Sequence, residues 1–364
     1  MNVRGRATGY VEVNLGALIR NYQKIGATCP SVNVGAVVKA NAYGLGAQPV
    51  AAALATAGCD RFFVATLEEG ITLREGLPDG SRHAQIFVFE GARLGSEQSY
   101  SRHGLQPVLN TREQIEAWCT VGGPCAVHVD SGMNRLGLGI EECAEIFADA
   151  QLPERLGLRH VMTHLACADD PQDVHNRRQL DAFSSTLAVF GEAVEISIAN
   201  SAGAFLDAAF HADVVRAGIA LYGGNPFAEQ ANPMEPVVTL YARVLQVREL
   251  TQPATVGYGA TFEAAAGTRI ATVGVGYADG YPRCLGNVAQ AAFDGARVPV
   301  VGRVSMDLTG IDVTVLGDAA PVPGDYVEMF GSTVSVDEVA AASGTISYEV
   351  LTGLNARLPR VYVE

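Results

Sequence analysis

Along the first 225 residues, short β-branched and aromatic runs alternate with Ala/Leu-rich stretches whose apolar positions recur every three to four residues. The runs Val34–Val38, Phe62–Ala65, Ile86–Phe89, Leu105–Leu109, Val127–Asp130, His160–His164, Glu195–Ala199 and Val214–Arg216 read as strands. Between them, Ala47–Ala57, Leu67–Glu75, Thr111–Trp118, Glu141–Ala150 and Arg177–Phe190 read as helices. Thr111, followed by Arg-Glu-Gln, is placed to cap its helix. Eight strands, each followed by a crossover, predict an α/β fold, a parallel (β/α)8 TIM-type barrel. An open doubly wound sheet is the alternative. After Pro233 the pattern changes. Val237–Leu250, Arg269–Val275, Ala289–Phe293, Arg297–Val304, Gly310–Val315 and Tyr326–Met329 read as strands separated by Gly, Pro and Asp. Residues 12–232 are therefore expected to form the barrel. Residues 233–364, with an N-terminal strand over 1–11, are expected to form a mainly β domain.

Composition narrows the function. The 364 residues are 48% hydrophobic and 18% charged, as in a large globular unit, and the formal net charge of −14 argues against a broad nucleic-acid or anionic-membrane footprint. No signal-peptide core and no bilayer-length apolar run is seen. The seven cysteines are odd in number and lack C-x-x-C spacing, so they read as reduced thiols in a cytoplasmic protein.

A (β/α)8 barrel builds its site where its strands end, and polar residues gather there: Lys39, Arg135, His164, Ser201 and Arg216. Singly, such residues are more often solvated caps or satisfied structural groups. Together they point to one rim. A lysine desolvated by an apolar barrel has a lowered pKa, and its free amine can form a Schiff base with an aldehyde such as pyridoxal phosphate. Ser201 in "NSAG", with the backbone N–H groups of Gly218 and Ile219 in "RAGIALYGG", offers a phosphate cradle. Other signals are weaker. "GVGYADG" has the wrong spacing for a dinucleotide loop, no G-x-S-x-G elbow occurs, and the His164, Cys167, Asp169, Asp170 and His175 spacing fits no familiar metal set, so no metal is expected.

The segment "VVKANAYGLG" closely resembles the cofactor-lysine motif of alanine racemases, fold type III pyridoxal phosphate enzymes. "VDSGMNRLG", "THLACAD", "ANSAG", "VVRAGIALYG", "VGYGATF", "VGYADGYPR", "VGRVSMD" and "YEVLTGL" resemble family segments in family order over nearly the whole chain.

The resemblance implies a homodimer that interconverts L- and D-alanine for cell-wall peptidoglycan. Lys39 would hold pyridoxal 5'-phosphate and then act as the base for D-alanine. Tyr258, supplied by the other subunit's β domain, would act as the base for L-alanine. Arg216 would face the pyridine nitrogen, and His164 would link Tyr258 to Arg216 and help activate the phenol. Arg135 would contact the ring oxygen and the substrate carboxylate. Met306, through its backbone, and Asp307 would lie beside the bound amino acid. Tyr43, Ser201, Gly218, Ile219 and Tyr222 would lie on the phosphate side.

Two positions depart from the pattern. His128 stands where several relatives carry a carbamylated lysine bracing the arginine, so an anion or a direct hydrogen bond is expected to brace Arg135 instead. Ala356 stands where some relatives place a phosphate-binding tyrosine. A serine racemase, a pyridoxal phosphate carrier without turnover and a fold type III decarboxylase are the competing readings. The "VGYGATF" segment argues against the carrier, and Arg216, where decarboxylases place an acid, argues against the last.

Overall fold

The computed structural model describes residues 6–364; residues 1–5 of the expected N-terminal strand lie outside the described residues. Eight strands build the barrel: β2 (Asn33–Val37), β3 (Arg61–Val64), β4 (Gln85–Val88), β5 (Leu105–Leu109), β6 (Cys125–His128), β7 (Leu158–Met162), β8 (Glu195–Ser197) and β9 (Val214–Ala217). They lie in the order β8-β7-β6-β5-β4-β3-β2-β9, and β9 returns parallel to β2 with Asn33 opposite Val214 and Ala36 opposite Ala217. The β8–β9 seam has no ladder. It is closed by single hydrogen bonds, from Asp213 N to Ile196 O (3.0 Å), Arg216 N to Ala199 O (2.9 Å) and Ser197 Oγ to Val214 O (2.6 Å). The fold is thus a nearly closed barrel and not an open sheet.

Aromatic rings fill its interior. Phe63 stacks on Phe87 at 4.8 Å between centroids and on Phe89 at 5.6 Å, and His160 meets Phe87 edge-on at 4.6 Å. Gly35 makes room for this column, since a Cβ there would lie 2.6 Å from the Phe63 ring. Burying one such side chain contributes about 1.5–3 kcal/mol.

The second layer is antiparallel in the main. Strands β1 (Gly9–Asn14), β10 (Val238–Glu249), β13 (Arg269–Val273), β14 (Gln290–Phe293), β15 (Ala296–Val301), β16 (Thr309–Asp312), β17 (Tyr326–Phe330) and β18 (Arg360–Val363) form one sheet, in the order β13-β16-β15-β14-β17-β10-β1-β18. β10 also pairs with β13, which curls the sheet onto itself. Val238, Leu240, Ala242 and Val244 of β10 are buried on alternate positions, the period of a strand with one face on a core. A separate hairpin, β11 (Ala254–Val256) and β12 (Phe262–Ala264), projects from this sheet.

Several expected boundaries move. Two barrel strands stop before the polar residue expected to end them, β2 at Val37 rather than at Lys39 and β7 at Met162 rather than at His164, whereas β9 runs past Arg216 to Ala217. The stretch expected as one helix over Arg177–Phe190 is a helix over Val174–Ser184 and a 3-10 turn over Leu187–Phe190, because Asp173 caps the N–H of His175 and starts the helix early. The helix expected over Glu141–Ala150 is Ile140–Ile146 followed by Leu152–Leu156. Thr111 does cap its helix, accepting from Gln114 N. All seven cysteines are free thiols, and no helix among the described residues is long and apolar enough to cross a membrane.

Candidate active site

The chain does something unusual just after β2. Ala40, Asn41, Ala42 and Tyr43 all take positive φ, between 51° and 55°, a left-handed turn built without glycine. Such a residue costs about 1–2 kcal/mol. The strain is held by Glu69, whose carboxylate accepts from Ala40 N (2.7 Å) and Ala65 N (2.8 Å), and by Ala42 N donating to Val38 O (2.8 Å). The turn sets Lys39 at the rim, with Nζ 5.8 Å from the centroid of Phe89 at the top of the aromatic column.

Lys39, His128, Arg135, His164 and Arg216 line one cavity of about 380 Å³, with Phe89, Glu90, Met162 and Thr163. Four of the five rim residues expected from the sequence are therefore brought together. Burial lowers the Lys39 pKa first, and the Arg135 charge lowers it further, against a smaller opposing effect of Glu69. A lowered pKa leaves the amine free at lower pH than an ordinary lysine. Labelling of the Lys39 amine by an acylating reagent is therefore expected to titrate below the usual lysine midpoint. Arg135→Leu should move that midpoint upward. A midpoint unchanged by Arg135→Leu would remove the arginine as a cause.

Arg216 is buried across the barrel top. Its Nη1 donates to Ser197 Oγ (2.5 Å), and its Nη2 to Thr163 O (2.5 Å), with Ile198 O and His164 Nδ1 both at 3.4 Å. Burial pushes its pKa down to about 10, which leaves it charged at neutral pH. His164 is held neutral, well below its ordinary pKa, by burial and then by the charges of Arg216 and Arg135.

Ser201 lies beyond this cavity. Its Oγ accepts from Gly218 N (2.8 Å) and Ala220 N (3.3 Å) at the start of the 3-10 turn Ile219–Tyr222. A Cβ at Gly218 would lie 2.5 Å from Tyr43 Oη, so the glycine lets that hydroxyl approach the backbone. The Tyr222 ring stacks 4.7 Å from Tyr43 while its own hydroxyl donates to Val37 O (2.8 Å); Tyr222 thus props Tyr43 from the barrel wall. Tyr348, which sequence reasoning missed, places its ring 5.8 Å from Tyr43 on the other side. A cleft of about 650 Å³ opens between His164, Asn200 and Ala202 of the barrel and Ser347 and Tyr348 of the C-terminal helices. Ala356 is exposed.

The remaining expected residues do not reach this cavity. Tyr258 sits between β11 and β12, flanked by Gly257 and Gly259 at φ 76° and 73°, and the residue is 70% exposed. Met306 and Asp307 are also exposed on the β sheet side. Their loop is clamped: Arg357 donates to buried Asp279 (2.6 and 3.1 Å) and to Asp307 (2.6 Å), Ala278 N donates to Met306 O (2.9 Å), and the Met306 N–H has no partner among the described residues. Tyr258, Met306 and Leu308 are all exposed on the β domain. His128 does not bond Arg135; its Nδ1 pairs with Asn110 Oδ1 at 3.0 Å.

An amine, two guanidiniums and two imidazoles on one barrel rim define the chemical class: a barrel enzyme for a small anionic ligand. The models of the alanine racemase N-terminal and C-terminal domains match residues 13–226 and 237–362. The alanine racemase of Rhodospirillum rubrum is 45% identical over 100% of this chain and 98% of its own length. A biosynthetic alanine racemase of Agrobacterium fabrum is 44% identical, over 96% of this chain and 93% of its own, and a catabolic one from the same organism is 42% identical, over 99% and 93%. The crystal structure of the Bartonella henselae alanine racemase with covalently bound pyridoxal phosphate superposes with a TM-score of 0.91 at 37% identity, covering 98% of this chain and 100% of that one. The chain belongs to the alanine racemase family.

Proposed function

We propose that this chain is a pyridoxal phosphate-dependent racemase that interconverts L- and D-alanine, works as a cytoplasmic homodimer and supplies D-alanine for peptidoglycan. Its parts are a cofactor-binding barrel, residues 12–232, and a β domain, residues 233–364 with 1–11. The observation that carries the reading is the desolvated Lys39 amine in one cavity with Arg135, His164 and Arg216.

The residues present suit the cofactor. The Tyr43 hydroxyl lies close over the Gly218 backbone, where any Cβ would collide with it, and Ser201 Oγ, which accepts from Gly218 N, stands there with the Ile219 N–H as polar groups for a phosphate. Tyr43, packed on the Tyr222 ring, adds its hydroxyl to that group. Bound there, pyridoxal phosphate supplies an aldehyde for the Lys39 amine and a conjugated ring that acidifies the Cα–H of an amino acid.

The chain's own groups then divide the work. Lys39 Nζ, lowered in pKa, takes or returns the Cα proton on the face used by D-alanine. Tyr258 of the partner subunit does so on the opposite face, for L-alanine. Exposed Tyr258 and the Met306 N–H, which has no partner among the described residues, support this assignment, because neither reaches the cavity of its own barrel. His164 uses its Nδ1 to accept from Arg216, so its Nε2–H is left to donate to the Tyr258 oxygen. Arg216 stays charged and offers only donors, so a ring nitrogen facing it stays unprotonated and misdirected protonation is suppressed. Arg135 takes the substrate carboxylate, and the partner subunit's Met306 N–H lies beside the bound amino acid, with Asp307 locked away by Arg357. Polarimetry on a panel of L-amino acids, with and without added pyridoxal phosphate, tests the reading. Optical rotation should decay to zero fastest for alanine, with serine slower, since one or two extra atoms are discriminated by only about 1–3 kcal/mol. Unchanged rotation of alanine in the presence of cofactor would refute it.

A further inference from the structure

The inward face of the helix Val174–Ser184 is half polar. Its buried positions are Asn176, Gln179, Leu180 and Phe183, an i, i+3, i+4, i+7 stripe whose first two places hold amides instead of apolar side chains. Gln179 has no exposed surface. A buried amide costs stability unless its hydrogen bonds are made. Gln179 makes them to one short segment. Its Oε1 accepts from Ala166 N (2.8 Å), and its Nε2 donates to His164 O (3.0 Å). Turning the amide over would set N–H against N–H and oxygen against oxygen, so the orientation is determined.

These two bonds fall where the sheet gives out. β7 ends at Met162, and Thr163 N still reaches Ser197 O of β8 (3.0 Å). Beyond it, His164 O and Ala166 N bond to the glutamine side chain. The amide stands in for a peptide unit of a neighbouring strand and carries the pairing past the last rung. Asn176, one turn earlier on the same face, holds the far end of the loop, its Nδ2 donating to Cys167 O (3.2 Å) and Asp170 O (2.9 Å). Gln179 Nε2 also lies 3.4 Å from Ser131 Oγ, the longest and weakest of its three contacts. Its main hold is therefore on the backbone of His164. That imidazole faces Arg216 through Nδ1, and the same guanidinium nitrogen donates to Thr163 O.

Resting on the racemase reading, we propose that Gln179 is a positioning residue: by completing the backbone pairing of His164 and Ala166, it fixes the His164 imidazole between Arg216 and the incoming Tyr258 of the partner subunit. The effect is one-sided. His164 works with the base for L-alanine, whereas none of the three contacts of Gln179 reaches the segment that carries Lys39, the base for D-alanine.

The test follows both enantiomers on the holoenzyme. Gln179→Met keeps the shape of the side chain and loses both bonds. It should slow exchange of the L-alanine Cα hydrogen with deuterated solvent about 10-fold, the size of one or two neutral hydrogen bonds, and leave D-alanine exchange within about twofold. Gln179→Glu, which keeps the acceptor for Ala166 N, should recover part of the loss. In a His164→Ala background, Gln179→Met should add nothing. The Ala166 N–H, followed by NMR hydrogen exchange, should be protected in the unsubstituted protein and in Gln179→Glu, and should lose protection in Gln179→Met. Gln179→Asn, which withdraws the amide by one bond and keeps it polar, gives the same comparison where the methionine variant does not fold. Equal losses from both enantiomers, an additive loss in the double variant, or Gln179→Glu as poor as Gln179→Met would overturn the proposal. An unsubstituted holoenzyme that exchanges neither enantiomer would sink the racemase reading instead, and protection of the Ala166 N–H would still decide whether Gln179 holds the His164 segment.

Discussion

Tyr258→Phe is expected to abolish proton removal from L-alanine while leaving proton exchange of D-alanine in place. The loss should be about 10²–10⁴-fold, the contribution of a positioned general base. Net racemisation falls in both directions, since each turnover uses both groups. Exchange of the D-alanine Cα hydrogen with deuterated solvent needs only Lys39 and should persist. The substitution removes one oxygen from a residue that is 70% exposed on a hairpin, so stability should move by no more than about 0.5 kcal/mol. Cofactor absorbance should be unaltered. Mass spectrometry of recovered L- and D-alanine separates the two exchange reactions. Equal losses of exchange from both enantiomers would show that Tyr258 does not serve one face, and unaltered turnover would remove it from the mechanism.

Lys39→Ala should have the larger effect. It deletes both the amine that reacts with the aldehyde and the base for D-alanine, so turnover should fall by more than about 10⁴-fold, beyond the loss of a general base alone. The protein should still fold. Lys39 donates no hydrogen bond among the described residues, and its contact is the ring of Phe89. Residual, non-covalent binding of pyridoxal phosphate should survive through the polar groups around Ser201, so gel filtration should strip the cofactor from the variant and not from the parent. An added primary amine of small size should restore part of the D-alanine exchange and none of the retention. Cofactor retention equal to the parent's would contradict the role given to Lys39.

The barrel was legible because its evidence is periodic. β-branched runs of four or five residues separated by amphipathic stretches have few other solutions. Boundaries were less so. The strands end at Val37 and Met162 because hydrogen-bonded pairing stops where the barrel rim opens, and composition carries no mark of that point. The left-handed turn at Ala40–Tyr43 was invisible for a different reason. Of its residues only asparagine favours that conformation, so the turn is imposed by Glu69, 29 positions from Ala40 in sequence and adjacent in space. The same holds for the site. Lys39, Arg135, His164 and Arg216 were found because charged groups at strand ends are chemically conspicuous. Asn110 and Tyr348 were missed because an asparagine after a strand and a tyrosine in a helix look ordinary until their partners are known. The apolar helix-like spacing of 177–190 concealed a break after Ser184. Tyr258 and Met306 carried no signal beyond the resemblance, since an aromatic between two glycines reads as any hairpin tip.

The central claim is that each working site takes Lys39 from one chain and Tyr258 from the other. Mixing Lys39→Ala protein with Tyr258→Phe protein, each inactive alone, and allowing subunits to exchange tests it directly. A hybrid dimer would hold one site lacking both groups and one site with both intact. Statistical exchange should therefore recover about a quarter of the parental activity per subunit, rising with the hybrid fraction seen by native mass spectrometry. Hybrids that form and remain inactive would mean that Lys39 and Tyr258 act within a single chain or not together at all.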